Sequence, residues 1–493
     1  MLHLQHFLLF VRREFSDYLF LVFSFVYLTL SLVHLVGKEP AEFLGMLFFT
    51  GFLVLLMMKS GIRRLFYIHY PSDNPARTAG WITRDLALIL LVSVLVVLLS
   101  LAVSVSLSLS GYDGWISSAC FRTGIWLALM IPPLLTEPAM ATISESSTAA
   151  LFRVVSRLGI PGITTGLFFF PVDALSLINL LIGLAAIRLL LFFVLLVHYQ
   201  LVDAFTRPVI SWAHTLAQSA RVLLADASLW LVLILLVFLI WMQAGPGYRM
   251  IWLVGSQLFV VFIMVAAQML SLWSLIFKNF IRLGADSQFI LYVQHLNIWH
   301  VALFFSVIPL FLLLLTPLIE FEMGGYQLPM DWPMLILSMT ALAAGAFCFS
   351  NPMAELLVLL DRQRELMLFS VTSLVIFLLC GWLFTSIHGV WGWFLAPLAA
   401  GLVYWVGVNS QIQQLLSCDY KYIFPYRKLG QFILISLTAL ISGYLVSQIT
   451  QRISLVFTAY LVVYLGLLAL TKLIRTDKQT GFLNWTRQIG NFH

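Results

Sequence analysis

Arg188 stands near the middle of a long apolar run, GLAAIRLLLFF. On insertion scales a charge at that depth costs about 2.5–3.5 kcal/mol, and such residues face a cavity or a partner. Its planar guanidinium fork suits the oxygens of a diphosphate; an internal ion pair or snorkelling to an interface is the competing use. Arg122, in ACFRTGIW, lies at one end of another run, as a ligand contact or an interface anchor. Glu137, in LLTEPAM near the other end of that run, is suited to proton or sodium coupling, or else lies just past the membrane. Lys59, Arg63 and Arg64 form a basic cluster in which Lys59 and Arg63 share a helical face. The cluster suits an anionic head group, and serves as well as a topology signal or lipid contact.

Other chemistries lack their residues. There is no G-x-x-x-x-G-K-[ST], no H-E-x-x-H and no G-x-S-x-G. Cys120, Cys348, Cys380 and Cys418 form no C-x-x-C pair, and the ten histidines show no metal spacing. The expectation is therefore no cofactor, no metal and no ATPase within this chain. Basic residues are scattered over many short loops, so nucleic acid is not an expected partner.

The elements that carry these residues follow from composition. The 493 residues are 61% hydrophobic and 10% charged, with mean hydropathy +1.00, against about 25% charged in a soluble domain. Apolar runs of about 20 residues recur from end to end, the length of a membrane-crossing helix, without the alternation of a membrane barrel. The fold expected is an all-α polytopic membrane protein of about fourteen transmembrane helices. Spans are placed at 17–36, 41–58, 86–109, 118–137, 160–172, 175–198, 228–244, 250–275, 299–319, 331–349, 366–386, 390–409, 428–448 and 453–474. The fifth is the shortest, and Ala139–Leu158 is a candidate extension of it. Pro132 and Pro133 interrupt the fourth. With a cytoplasmic N-terminus, about 22 of the 27 Lys and Arg fall on the inner side, as the positive-inside rule requires.

The first six spans repeat in the next six at offsets of roughly 206–215 residues, a parallel repeat. The expected organisation is an interfacial N-terminus (1–16), a six-helix lobe (17–198), a cytoplasmic connector (199–227), a second six-helix lobe (228–409), a short connector (410–427), two further helices (428–474) and a cytoplasmic tail (475–493). Within the first connector, Val209, Trp212, Leu216, Ala220 and Leu223 form one apolar stripe, so it reads as an amphipathic helix on the membrane surface.

This six-plus-six-plus-two layout resembles the superfamily of multidrug, oligosaccharidyl-lipid and polysaccharide exporters, over Asp17 to Ile474. KSGIRRLFYIHYP (59–71) and the closing pair FPYRKLGQFILISLTALISGYL and ISLVFTAYLVVYLGLLALTKLI are similar to its polysaccharide branch. The resemblance implies a flippase that moves a lipid-linked oligosaccharide or polysaccharide by alternating access, in a bacterial inner membrane with both termini cytoplasmic. It implies membrane lipids, an anionic lipid-linked glycan and other polysaccharide-assembly proteins as partners. Arg188, Arg122, Lys59, Arg63 and Arg64 become head-group contacts and Glu137 the coupling carboxylate. The alternatives left open are a membrane polymerase or ligase of polyprenyl-linked glycans, with Asp113, Asp173, Glu320, Glu322 and Asp331 as outer-face acids, a permease subunit of a larger complex, and a small-solute exporter.

Overall fold

The computed structural model describes residues 20–69, 75–135, 147–198, 212–243, 297–304, 332–416 and 426–471, apart from positions 22, 30, 33, 171, 299, 303, 390, 391 and 450–452. Among them every regular element is a helix. In hydrocarbon each backbone N–H and C=O must be satisfied within its own segment, which an α-helix does. Helix α1 comprises the described residues of 20–36. It is followed by α2 (Lys38–His69), α3 (Pro75–Leu109), α4 (Gly114–Met130), a 3₁₀ turn at Pro132–Leu135, α5 (Ser147–Leu167), α6 (Ala174–His198) and α7 (Trp212–Gln243). Then come α8 (Trp332–Phe349), α9 (Met353–Leu359), α10 (Gln363–His388), α11 (Gly392–Leu416), α12 (Tyr426–Ile449) and α13 (Ile453–Thr471). Eight spans among the described residues are long and apolar enough to cross a membrane, with shorter apolar helices at Gly430–Val446 and Thr458–Thr471. The chain is a multi-pass membrane protein. The span expected at 250–275 and most of 299–319 lie outside the described residues.

Three stretches differ in detail from the sequence reading. The expected break in the fourth span occurs where the prolines put it: α4 ends at Met130 and Pro132–Leu135 winds as 3₁₀. The fifth helix starts at Ser147 rather than 160, so much of the candidate extension belongs to it. The connector lies outside the described residues up to Ser211. From Trp212 it is the first part of α7, which continues without a break past residue 227 into the seventh span. Val222, Ala225 and Asp226 are buried, so this part of the helix packs against protein.

The described residues divide into two compact units. One draws on Ser16–Gln257 and Val358–Leu378. Its core is aromatic: Phe25 packs on Phe52 at 4.7 Å between ring centres, and Phe25 and Phe48 each lie 5.7 Å from Trp126, which is 1% exposed. Gly51 lets α2 close on that ring, since a Cβ there would stand 3.2 Å from the indole. Helices α3 and α4 are joined by Ser104 and Ser117, whose hydroxyls lie 2.8 Å apart. Leu91, Val94, Leu98 and Leu99 of α3 are exposed, a face suited to lipid.

The other unit draws on Leu258–Leu357 and Leu379–His493. Here α8 and α11 meet backbone to backbone. A Cβ on Gly345 would stand 2.6 Å from the carbonyl of Pro397, and one on Gly401 would stand 2.7 Å from the carbonyl of Gly345. Small residues permit this approach, which is how membrane helices gain packing without a hydrophobic driving force. Helices α12 and α13 form a hairpin whose Phe432, Ala439, Tyr460 and Tyr464 pack around Val301 and Ala302. The Tyr464 hydroxyl donates to the Ala302 carbonyl at 2.8 Å.

Candidate functional site

Two arginines cross-connect α4 and α6. Arg122 Nη1 donates to Asn179 Oδ1 at 2.9 Å, from α4 to the start of α6. Nine residues further along α6, Arg188 reaches the other way and its Nη1 lies 3.4 Å from Met130 Sδ. The two helices therefore run in the same direction, with the contacts roughly 13 Å apart at 1.5 Å per residue. Their environments differ. Arg188 is 3% exposed, with its guanidinium carbon 5.6 Å from the centre of the buried Phe152 ring of α5. Arg122 is half-buried and Asn179 is exposed. Of the two, Arg122 is the cation a ligand can reach in this conformation, while Arg188 is a charge enclosed between α4, α5 and α6.

A second polar seam joins α1 to α5, and Pro161 is its cause. Proline has no N–H, so the helical carbonyl four residues back loses its usual donor. That carbonyl belongs to Arg157; Ser24 Oγ of α1 lies 3.4 Å from it, while the Ser24 hydroxyl donates its shorter bond to the Phe20 carbonyl of its own helix at 2.6 Å. The Arg157 guanidinium lies 5.4 Å over the Phe20 ring. One turn beyond Pro161, Thr165 Oγ1 donates to the Pro161 carbonyl at 2.8 Å and lies 3.1 Å from Tyr27 Oη. The threonine proton is committed to that carbonyl, so Tyr27 is the donor of the pair. Tyr27 also lies parallel to the exposed Phe23 ring, with centres 6.0 Å apart and 4° between planes. At the far end His34 faces Phe168, with ring centres 6.5 Å apart.

The remaining sequence candidates scatter. Lys59 is 5% exposed in α2, enclosed rather than displayed at a surface. Helix α7 packs on α2 and buries Asp226, 3% exposed, whose Oδ2 lies 3.5 Å from where a Cβ of Gly61 would stand. Arg63 and Arg64 follow on α2, but their side chains lie outside the described residues, as does Glu137 altogether. Asp173, an outer-face acid of the enzyme alternative, starts α6: its Oδ2 accepts from the Ser176 N–H at 3.3 Å and its carbonyl from that of Leu177 at 3.1 Å. The Ser176 hydroxyl first, and then the backbone N–H groups of Ser176, Asp173 and Leu175, hold its carboxyl below the usual carboxylate range. Among the described residues no group of three His, Cys, Asp or Glu could hold a metal ion. Asn179, Tyr27 and Thr165 were not singled out from the sequence. The signal present was a hydroxyl or amide inside an apolar run.

No protein-family model and no curated protein matches the chain. Solved structures do. The chain is similar to lipid II flippase MurJ in an inward closed conformation, with TM-score 0.62 and 14% identity over 95% of this chain and 100% of that one. It is also similar to an inward-facing multidrug resistance MATE family transporter of the MOP superfamily, with TM-score 0.60 and 13% identity over 81% and 96%. A third likeness is to the eukaryotic MATE transporter AtDTX14, with TM-score 0.55 and 14% identity over 87% and 98%. At these identities the likeness is one of fold.

Proposed function

We propose, on the premise that the chain has the fold of the multidrug, oligosaccharidyl-lipid and polysaccharide exporter superfamily, that it is a membrane transporter working by alternating access. Its cargo in this reading is a lipid-linked oligosaccharide or polysaccharide. The observation that carries the reading is Arg122: a half-buried guanidinium between α4 and α6, oriented by Asn179. A diphosphate head needs such a donor fork fixed in place, and the apolar faces beside it suit a polyprenyl tail. The fold likeness to a lipid II flippase over 95% of this chain supports the same cargo class. Arg188 sets the spacing of α4, α5 and α6 behind that contact. Lys59, Arg63 and Arg64 stand on the cytoplasmic side, Arg63 and Arg64 receiving the anionic head, and Glu137 couples transport to an ion. The protein lies in a bacterial inner membrane with both termini cytoplasmic, beside other polysaccharide-assembly proteins.

The test is translocation in proteoliposomes. A lipid-linked oligosaccharide bearing a fluorophore on the glycan is loaded into both leaflets, and a membrane-impermeant quencher reads how much is exposed. The protein is expected to make the protected pool accessible, and Arg122→Ala to slow this about tenfold, the loss of one charge-assisted hydrogen bond. Efflux of a cationic dye with no glycan movement would transfer the protein to drug export.

A further inference from the structure

We propose that the cavity between the C-terminal ends of α1 and α5 is a subsite for a single sugar unit of the cargo glycan. It rests on the transport reading for its biological meaning, but its chemistry stands on its own geometry.

The cavity has a volume of about 430 Å³, walled by His34, Val36, Leu167, Phe168 and Val172 among others, within the range of small-ligand sites. Helix α5 ends at Leu167 in tightened turns: the N–H groups of Phe168, Phe169 and Phe170 donate to the carbonyls of Thr165, Gly166 and Leu167. Among the described residues no backbone N–H is donated in turn to the carbonyls of Phe168, Phe169 or Phe170. Position 171 is proline, which has none to give. These carbonyls belong to residues that line the cavity, at the partially negative end of a helix. Such a site favours a hydrogen-bond donor over an anion, which separates it from the arginines that suit a diphosphate.

Two features select a neutral polyol among donors. Among the described residues no carboxylate lines the cavity to fix a cation. The exposed His34 adds a group that donates from one ring nitrogen and accepts at the other. The Phe168 ring, tilted 44° to the imidazole at 6.5 Å, supplies an apolar wall. A pyranose matches this set: hydroxyls around its edge for the carbonyls and the imidazole, and a C–H face for the aromatic ring.

Binding is read by saturation-transfer NMR on the full-length protein in nanodiscs. The probes are the methyl glycosides of glucose, galactose and N-acetylglucosamine, with tetramethylammonium as the competing cation. At least one glycoside is expected to take up saturation. His34→Ala and Phe168→Ala should each weaken binding about fivefold, the loss of one modest contact. Val172→Trp, which fills the cavity from another wall, should abolish binding, and His34→Gln should retain most of it; both are scored on preparations that melt like the wild type. No saturation of any glycoside, uptake by tetramethylammonium alone, or glycoside binding indifferent to Val172→Trp would each overturn the proposal. If glycosides bind here while the liposome assay shows no glycan movement, the subsite stands and the transport reading falls.

Discussion

His300 Nε2 donates a hydrogen bond to Ser350 Oγ across 2.9 Å. The direction is fixed by Ser350, whose only hydroxyl proton goes to the carbonyl of Phe347 at 3.0 Å. The imidazole also lies nearly parallel to the Phe347 ring, with centres 4.5 Å apart and 13° between planes. His300 is buried and is thereby pinned to the end of α8. Ser350→Ala strands its N–H and should lower stability by about 1–3 kcal/mol, read as a lower Tm in detergent. Adding His300→Phe should recover part of that loss, because both polar partners are then gone. A double mutant no better than the sum of the singles would refute the coupling.

The contact between α8 and α11 gives a second prediction. Gly345→Ala places a methyl 2.6 Å from the Pro397 carbonyl, and Gly401→Ala places one 2.7 Å from the Gly345 carbonyl. Neither backbone can retreat as a side chain could. Each substitution should cost about 1–3 kcal/mol as overpacking. The pair should cost less than the sum, since the first already separates the helices. Thermal denaturation of the four proteins measures this.

The two arginines should separate in their effects. Arg188→Ala removes a side chain held against Met130 and Phe152, leaving a hole that costs about 2–5 kcal/mol. It should depress Tm strongly, and Arg188→Met should restore much of the loss. Arg122→Ala should leave Tm nearly unchanged while slowing glycan movement. Equal loss of Tm in both variants would refute the division of roles.

Asp173 predicts a pH dependence. Its folded-state pKa is depressed by the bonds from Ser176, so it contributes stability above the unfolded carboxylate value of about 3.9. That contribution is lost as pH falls through the depressed value. The protection of the first turn of α6 against hydrogen exchange, taken relative to the intrinsic rate at each pH, should fall on acidification in the wild type. Asp173→Asn should exchange faster near neutral pH and lose most of the acid response. An unchanged acid response in the variant would assign the effect elsewhere.

Much of the fold was legible because the bilayer enforces a simple rule: about 20 apolar residues make one crossing. The tandem prolines marked the end of α4 for an equally simple reason. Helix α5 was misplaced at its start because STAALFRVVSRLG is amphipathic, and its arginines argue against a span until Phe152 is seen turned inward. The boundary at residue 227 followed the end of a polar, amphipathic stretch, although nothing between Trp212 and Gln243 breaks a helix. For the candidate site, the sequence required Arg188 to have company inside the membrane but could not name Met130, 58 residues away. That pairing depends on the register of α4 against α6, which tertiary packing sets. The seam between α1 and α5 was hidden for the same reason: Pro161 announces a bare carbonyl, but only the fold supplies Ser24.

Helix α7 deserves a mechanical reading. Its 32 residues make a rod about 48 Å long, clasped to α2 where Leu223 and Asp226 meet Gly61. A soft tether would absorb motion; a shaft passes it on. A tilt at one end of an unbroken helix is carried toward the other through its backbone hydrogen bonds. Where the sequence suggested a surface helix set apart from the seventh span, the chain has one continuous rod from Trp212 to Gln243.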